Sequence, residues 1–169
     1  MTEGIEKNGY PSLEEIKTTC GFPSEERFKK GPVAIIECVQ EIPCNPCEIA
    51  CKFGAIHIGD PFTKIPKLRE DLCNGCGICV VNCPGLAIFT LDMTYSEHEA
   101  AIGFPHEYLP LPEKNQEVGA VNRAGVEVCK GRVIRINKSA KNDQTPVITI
   151  AIPKEFADDV RGIKRLGRG

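Results

Sequence analysis

The chain has 169 residues, of which 41% are hydrophobic and 26% are charged, values that are ordinary for a globular protein. Its formal net charge of −2 excludes a strongly basic field for nucleic acid and a polybasic membrane anchor. Ten cysteines, thirteen prolines and no tryptophan leave a limited apolar core, so cross-links of some kind are expected to support the fold.

Residues 1–8 contain no apolar run, so we expect no secretory signal. No stretch approaches the roughly 18 consecutive apolar residues that a membrane-spanning helix requires, so no membrane span is expected. We therefore expect a cytoplasmic protein, in a compartment where thiols are kept reduced. Clustered cysteines in that setting indicate metal ligands sooner than disulfides.

Residues 1–32 are expected to form an N-terminal extension used for docking. Ser12 followed by Glu15 has the pattern of a capping box, so a short helix is predicted to begin directly after Ser12. Cys20 lies further along this extension, in a sequence typical of a loop.

Residues 33–92 contain an internal repeat at an offset of 32 residues. Each copy begins with a short β-prone run, carries its cysteines through a tight turn into a short helix, and ends in another short strand. This duplicated order predicts a pseudo-twofold α+β domain. The cysteines that match between the copies are Cys44 and Cys76, Cys47 and Cys79, and Cys51 and Cys83.

The second copy contains the dense cysteine motif C-N-G-C-G-I-C-V-V-N-C-P at residues 73–84. Three cysteines at this spacing wrap a turn around one metal–sulfur cube, while the fourth begins a segment that leads toward a neighbouring cube. Gly75 and Gly77 allow the backbone to approach closely, and Pro84 fixes the direction in which the chain leaves.

Over residues 33–92 the chain resembles the bacterial-type ferredoxins that hold two [4Fe–4S] clusters. The resemblance implies a ferredoxin-like dicluster domain in which the last cysteine of each copy ligates the cluster of the other copy. It further implies two ligand sets. Cluster one takes Cys44, Cys47 and Cys83, and cluster two takes Cys51, Cys73, Cys76 and Cys79.

The first copy departs from the family pattern at the position equivalent to Cys73, where the sequence has Glu41. Cys38, three residues earlier, is expected to loop back and complete cluster one, because residues 40–43 supply the slack. Two alternatives stay open: Cys20 takes this place, or the site holds a three-iron cluster with an open corner. A structural zinc site is a further alternative, but it usually joins two cysteine pairs across a longer spacer.

The segment after the repeat is expected to contain a connector and a second structural unit. Residues 93–116 contain three prolines and are predicted to form an irregular connector. Residues 117–169 contain apolar or alternating runs separated by turn sequences, one of them the Lys-Gly pair at 130–131, and predict a small antiparallel β module, a barrel or a curled sheet. Within that module a short helix is expected from Lys154, followed by a basic, frayed tail from Arg161.

The sequence contains no dinucleotide-binding glycine motif, no P-loop and no nucleophile elbow, so no catalytic site of its own is expected. Two clusters without a substrate pocket predict an electron-transfer protein. The segments that flank the repeat favour an iron–sulfur subunit that relays single electrons between a flavin-containing dehydrogenase subunit and an external redox carrier. An anaerobic or oxygen-protected setting is expected for such a protein.

Other functions stay open as alternatives. The first is a freely diffusing ferredoxin, and another is a reductase that uses an open iron corner. A third is a nucleic-acid-binding or regulatory protein with structural clusters. Residues 117–153 contain no Phe, Tyr or Trp on which bases could stack, so a nucleic-acid partner is not expected. Cys129 is expected to pack as a small hydrophobic residue.

Overall fold

The computed structural model describes residues 4–139, Asn142 and residues 145–167. Within those ranges the fold is α+β, with short helices and antiparallel strand pairs. No helix in this part of the chain is long and apolar enough to cross a membrane. The helices are α1 (Ile5–Asn8), α2 (Leu13–Lys17), α3 (Glu25–Phe28), α4 (Pro46–Ala50) and α5 (Ile78–Asn82). The strands are β1 (Val33–Ile36), β2 (Ile56–His57), β3 (Lys67–Leu68), β4 (Ile88–Asp92), β5 (Glu99–Pro105), β6 (Glu117–Asn122), β7 (Glu127–Asn137), β8 (Val147–Pro153) and β9 (Val160–Ile163).

The N-terminal extension is ordered by capped helices. The predicted capping box is confirmed, because the Glu15 amide donates to Ser12 Oγ at 3.2 Å and the Ser12 amide donates to Glu15 Oε2 at 2.7 Å. Ser24 caps α3 in the same way, accepting a hydrogen bond from the Arg27 amide. Ile16 and Phe28 are buried, so α2 and α3 are both packed against the rest of the protein.

Seven strands form one sheet in the order β1-β4-β5-β8-β7-β6-β9, and β2 pairs with β3 separately. The two copies of the repeat meet in the β1–β4 pair, in which Val33 lies opposite Leu91 and Ile36 lies opposite Ile88. Because β4 pairs with β5 on its other side, the cysteine-bearing segment and the C-terminal strands share a single sheet.

Strand β1 is buried on both of its faces. Successive side chains of a strand point to opposite faces, and here each face meets a different core. Val33 and Ile35 pack into the core formed with the C-terminal strands. Ala34 and Ile36 pack into a second core that includes Cys47 and other residues of the repeat. The β1–β4 pair therefore lies between the two cores.

The expectation of an irregular connector at residues 93–116 is wrong for β5, which lies between β4 and β8 in the sheet. Residues 100–104 are all buried, as in a strand covered on both faces. Such a strand shows no polar–apolar alternation, so the run A-A-I-G-F lacks the pattern by which half-buried strands are recognised.

Two expectations for the C-terminal part are also corrected. The Lys-Gly pair at 130–131 is not a turn, because it lies inside the long strand β7. A Cβ atom on Gly131 would lie 3.0 Å from Ile150 Cδ1, so close approach to β8 accounts for this glycine. The helix predicted from Lys154 is a single 3-10 turn, and Arg161 lies in β9 rather than in a frayed tail.

A buried ion group joins the two outer strands of the sheet. The side chain of Glu37, directly after β1, is 5% exposed and accepts hydrogen bonds from Arg123 Nε at 2.9 Å and Arg123 Nη2 at 2.6 Å. It also accepts from Nε of Arg161 in β9, whose guanidinium lies over the ring of Phe89 at 5.4 Å. Since β1 and β9 are the outer strands of the sheet, the sheet must curl to bring them together.

We expect Glu37→Ala to lower the free energy of unfolding by about 3–5 kcal/mol, because two buried guanidinium groups would lose their shared counter-charge. Anaerobic urea unfolding followed by far-ultraviolet circular dichroism measures the change. Glu97→Ala is the matched control, since that side chain is 88% exposed, and its effect should stay within about 0.5 kcal/mol. Equal effects of the two substitutions would contradict a stabilising role for the ion group.

Candidate metal centre

Both copies of the repeat hold their last cysteine in the same local structure. Cys51 is the C-cap residue directly after α4, and Cys83 is the C-cap residue directly after α5. The Ala55 amide donates to Cys51 Sγ at 3.3 Å, and the Ala87 amide donates to Cys83 Sγ at 3.4 Å. Each of these sulfurs therefore accepts a backbone hydrogen bond from the residue four positions later in its own copy.

Eight cysteines line two cavities, four at each. No group of three or more His, Cys, Asp or Glu side chains in the described residues is placed to hold a single metal ion. Cavity one is lined by Cys38, Cys44, Cys47 and Cys83, and cavity two by Cys51, Cys73, Cys76 and Cys79.

The remaining two cysteines lie outside both cavities. Cys20 is exposed and lines a separate groove beside the N-terminal helices, together with Thr19 and Lys67. Cys129 lies in β7 and packs, partly buried, against the core of the C-terminal strands. The structure therefore brings Cys38, and not Cys20, to the three other cysteines of cavity one.

Each cavity takes one cysteine from the other copy of the repeat. Cys83 of the second copy lines cavity one, and Cys51 of the first copy lines cavity two. Cys47 and Cys79 lie in one buried hydrophobic cluster, so the two cavities adjoin each other through the interior of the protein.

Burial and crowding disfavour the anionic form of some of the thiols in the two cavities. Burial, together with a smaller contribution from neighbouring thiols, raises the pKa of Cys47 to about 11 and that of Cys79 to about 12. Burial also raises the pKa of Cys38, with added contributions from Cys83 and Cys44. A bound cation reverses this balance, because metal-coordinating thiols are deprotonated outright. The donor set thus fits iron–sulfur clusters, which bring several cations into one site.

The turn that carries Cys73 is pressed against the start of β1. Gly75 and Gly77 adopt left-handed backbone conformations, with φ of +68° and +78°. A Cβ atom on Gly75 would lie 2.6 Å from the carbonyl carbon of Pro32, so no larger residue fits there without displacing the backbone. The Ala34 amide donates to Cys73 Sγ at 3.4 Å, which links β1 directly to cavity two.

Arg27 supports the same turn and was not identified from the sequence. Its side chain is buried, and its guanidinium donates to a set of backbone carbonyls that includes that of Cys73. In sequence it is a single arginine in the charged run S-E-E-R-F-K-K, which is typical of a solvated helix. Its burial depends on tertiary packing, and no local pattern indicates it.

Comparison with known proteins gives a family match within the repeat. Residues 66–89 match the family described as the 4Fe-4S binding domain. This span contains Cys73, Cys76, Cys79 and Cys83, the dense motif of the second copy. No solved structure matches the chain significantly.

Several curated proteins are similar over part of their length. The chain is 39% identical over 101 residues to the ferredoxin-type protein NapF of Escherichia coli, a match covering 47% of this chain and 60% of NapF. It is 35% identical over 78 residues to an uncharacterized ferredoxin of Methanocaldococcus jannaschii, covering 41% of this chain and 45% of that protein. It is 31% identical over 119 residues to Protein Pixie of Drosophila melanogaster, covering 61% of this chain and 19% of Pixie.

The chain therefore spans from about a fifth to three fifths of the length of these relatives. The family match and the names of two relatives agree with the conclusion that the two sets of four cysteines fit iron–sulfur clusters. Together they support a [4Fe–4S]-binding segment of the ferredoxin type.

We expect Gly75→Ala to lower the free energy of unfolding by about 2–4 kcal/mol, because it combines left-handed strain with a clash against Pro32. It should also lower the iron content of protein purified without oxygen. Gly125→Ala is the control, since Gly125 has a similar left-handed φ of +76° but an added Cβ there meets nothing within 4 Å, and it should retain the iron content of the unaltered chain. Full iron content and unchanged stability in Gly75→Ala would contradict the tight packing of this turn.

Proposed function

We propose that the chain binds two [4Fe–4S] clusters and serves as the electron-transfer subunit of a larger oxidoreductase. The observation that carries the proposal is the sorting of eight cysteines into two adjoining sets of four, each completed by a cysteine from the other copy of the repeat. In this proposal Cys38, Cys44, Cys47 and Cys83 ligate cluster one, and Cys51, Cys73, Cys76 and Cys79 ligate cluster two.

When bound, a [4Fe–4S] cluster takes up or releases one electron at a time, at a potential set by its surroundings. The protein's part is to bind the clusters, to aim backbone amides at their ligand sulfurs, and to keep water away. The amides of Ala34, Ala55 and Ala87 donate to ligand sulfurs. A buried apolar cluster that includes Ile56 and Val80 packs with ligand cysteines of both sets.

The exposure of the ligands supports a relay. Cys47 and Cys79 are buried and belong to the group of apolar side chains that lies between the two cavities. Cys76 of cavity two is exposed, and Cys44 of cavity one is partly exposed. Each site thus has one side toward the other site and one side near the surface, as entry and exit of electrons would require.

The proposed partner is a flavin-containing dehydrogenase subunit. The chain would relay single electrons between this subunit and an external redox carrier. A flavin carries out two-electron chemistry on a substrate, which an electron-transfer protein without a catalytic site cannot do. The C-terminal strands build a second core beyond the cysteine-bearing segment, and their outer surface would provide the attachment. We place this complex in the cytoplasm of an anaerobic or oxygen-protected cell.

A freely diffusing ferredoxin is the second candidate, since two relatives carry ferredoxin or ferredoxin-type in their names without mention of a flavoprotein. Purification of the tagged chain from its native source without oxygen separates the two functions. Copurification of a flavin-containing chain at fixed stoichiometry would support the subunit. A stable monomer that carries its iron but brings no flavoprotein would contradict the subunit proposal and support the free ferredoxin.

The assignment of Cys38 gives a further prediction. We expect the unaltered chain to bind about eight iron atoms, and Cys38→Ala to fall to between about four and seven, because cluster one loses one of its four ligands. Cys20→Ala and Cys129→Ala are the matched controls and should keep the full amount. Iron and acid-labile sulfide analysis of anaerobically purified protein measures the effect. Loss of iron in Cys20→Ala and not in Cys38→Ala would overturn the assignment.

A further inference from the structure

The N-terminal extension places a buried positive charge beside cavity two, and this charge has a function. We propose that Arg27 is a positioning residue for cluster two, holding the turn that carries Cys73 and raising the reduction potential of that cluster. This inference rests on the proposed function, since it requires that the cysteines of cavity two ligate a cluster.

The guanidinium of Arg27 joins two separate segments of the chain. Arg27 is 7% exposed, and its Nη1 donates to the carbonyl of Gly31 at 3.0 Å while its Nη2 donates to that of Pro32 at 2.8 Å. On the other side its Nε donates to the carbonyl of Glu70 at 2.8 Å, and its Nη2 also donates to that of Cys73. One side chain thus ties the start of β1 to the turn before cavity two.

This arrangement reinforces the contacts that shape the turn. Gly75 is pressed against Pro32, and the Ala34 amide donates to Cys73 Sγ, so both segments held by Arg27 also contact each other near the cavity. The planar fork of five N–H donors in arginine suits several carbonyl acceptors at once, whereas lysine offers a single ammonium group. Arg27 is therefore able to fix the position of Cys73 relative to β1.

The electrostatic surroundings of Arg27 consist of carbonyl groups and one nearby carboxylate. Its hydrogen bonds go to neutral carbonyl oxygens, which stabilise the guanidinium without cancelling its charge. The nearby carboxylate of Glu70 accepts hydrogen bonds from the amide and the hydroxyl of Ser24, both at 2.7 Å, and its negative charge offsets part of the positive field of Arg27. Buried charges are screened less than exposed ones, so the field of Arg27 reaches the adjacent cavity.

A fixed positive charge beside a cluster favours the more negative, reduced form. Local charge and hydrogen bonding are among the levers by which a protein sets a cluster potential. Arg27 lines neither cavity itself, but it donates to the carbonyl of Cys73, a residue of cavity two, and its other hydrogen bonds in the described residues go to none of the cysteines of cavity one. The effect is therefore expected at one of the two clusters only.

The test compares Arg27→Gln and Arg27→Lys with the unaltered full-length chain, all purified without oxygen. Iron content is measured first, and then a redox titration followed by electron paramagnetic resonance gives the midpoint potential of each cluster. Arg132→Gln is the control for loss of one positive charge, since Arg132 is 45% exposed and pairs with Glu99 on the sheet surface. Cys76→Ala identifies which signal belongs to cluster two.

We expect Arg27→Gln to shift the potential of cluster two to a more negative value, or to lose that cluster's iron, while cluster one is unchanged. Arg27→Lys keeps the charge and should hold cluster two at a potential between those of Arg27→Gln and the unaltered chain. Arg132→Gln should move neither potential.

Unchanged potentials at full iron content in Arg27→Gln would overturn the inference, as would equal shifts of both clusters. If Arg27→Gln loses cluster two, the Arg27→Lys variant decides the question. A potential of cluster two in Arg27→Lys that is identical to that of the unaltered chain would mean that the positive charge alone is sufficient. That result would contradict a positioning role for the hydrogen bonds of Arg27. An iron content far from about eight in the unaltered chain would instead contradict the two-cluster proposal itself.

Discussion

The pairing of β1 with β4 buries one face of the strand pair against the cysteine-bearing helices and the other against the C-terminal sheet. A shift of one residue in this register would exchange the two faces of each strand. Ala34 would then leave the cysteine side and its amide would no longer meet Cys73 Sγ. The register of one short strand pair therefore determines both the packing of the two cores and the shape of the candidate metal centre.

The segments that flank the repeat complete this arrangement with buried arginines. Arg27 comes from the N-terminal extension, Arg123 from the turn directly after β6, and Arg161 from β9. Removing such charges from water costs several kcal/mol each unless partners compensate. Carbonyl groups around cavity two compensate Arg27, and Glu37, the residue before Cys38, compensates the other two. The flanking segments are thus structural parts of the cysteine-bearing region.

The parts of the structure that depend on local sequence were predictable. The cysteine spacing, the order of strand, turn and helix in each copy, and the capping box at Ser12 are all local patterns. The parts that depend on tertiary packing were not. β5 lacks the alternation of polar and apolar residues because both of its faces are covered. The sequence around Gly131 predicts a turn, although this glycine lies in β7 and packs against β8. The burial of Arg27 follows from its hydrogen bonds to the carbonyls of Pro32 and Cys73, and no local sequence pattern indicates these bonds.

The measurement that tests the two-site arrangement most directly is electron paramagnetic resonance of the fully reduced, anaerobically purified chain. Cys47 of cavity one and Cys79 of cavity two belong to one buried group of apolar side chains. Two reduced [4Fe–4S] clusters in these cavities would therefore lie close enough for their unpaired electrons to interact. We predict a signal split or broadened by this interaction and integrating to about two spins per chain. A simple signal integrating to about one spin per chain would contradict two adjoining [4Fe–4S] sites.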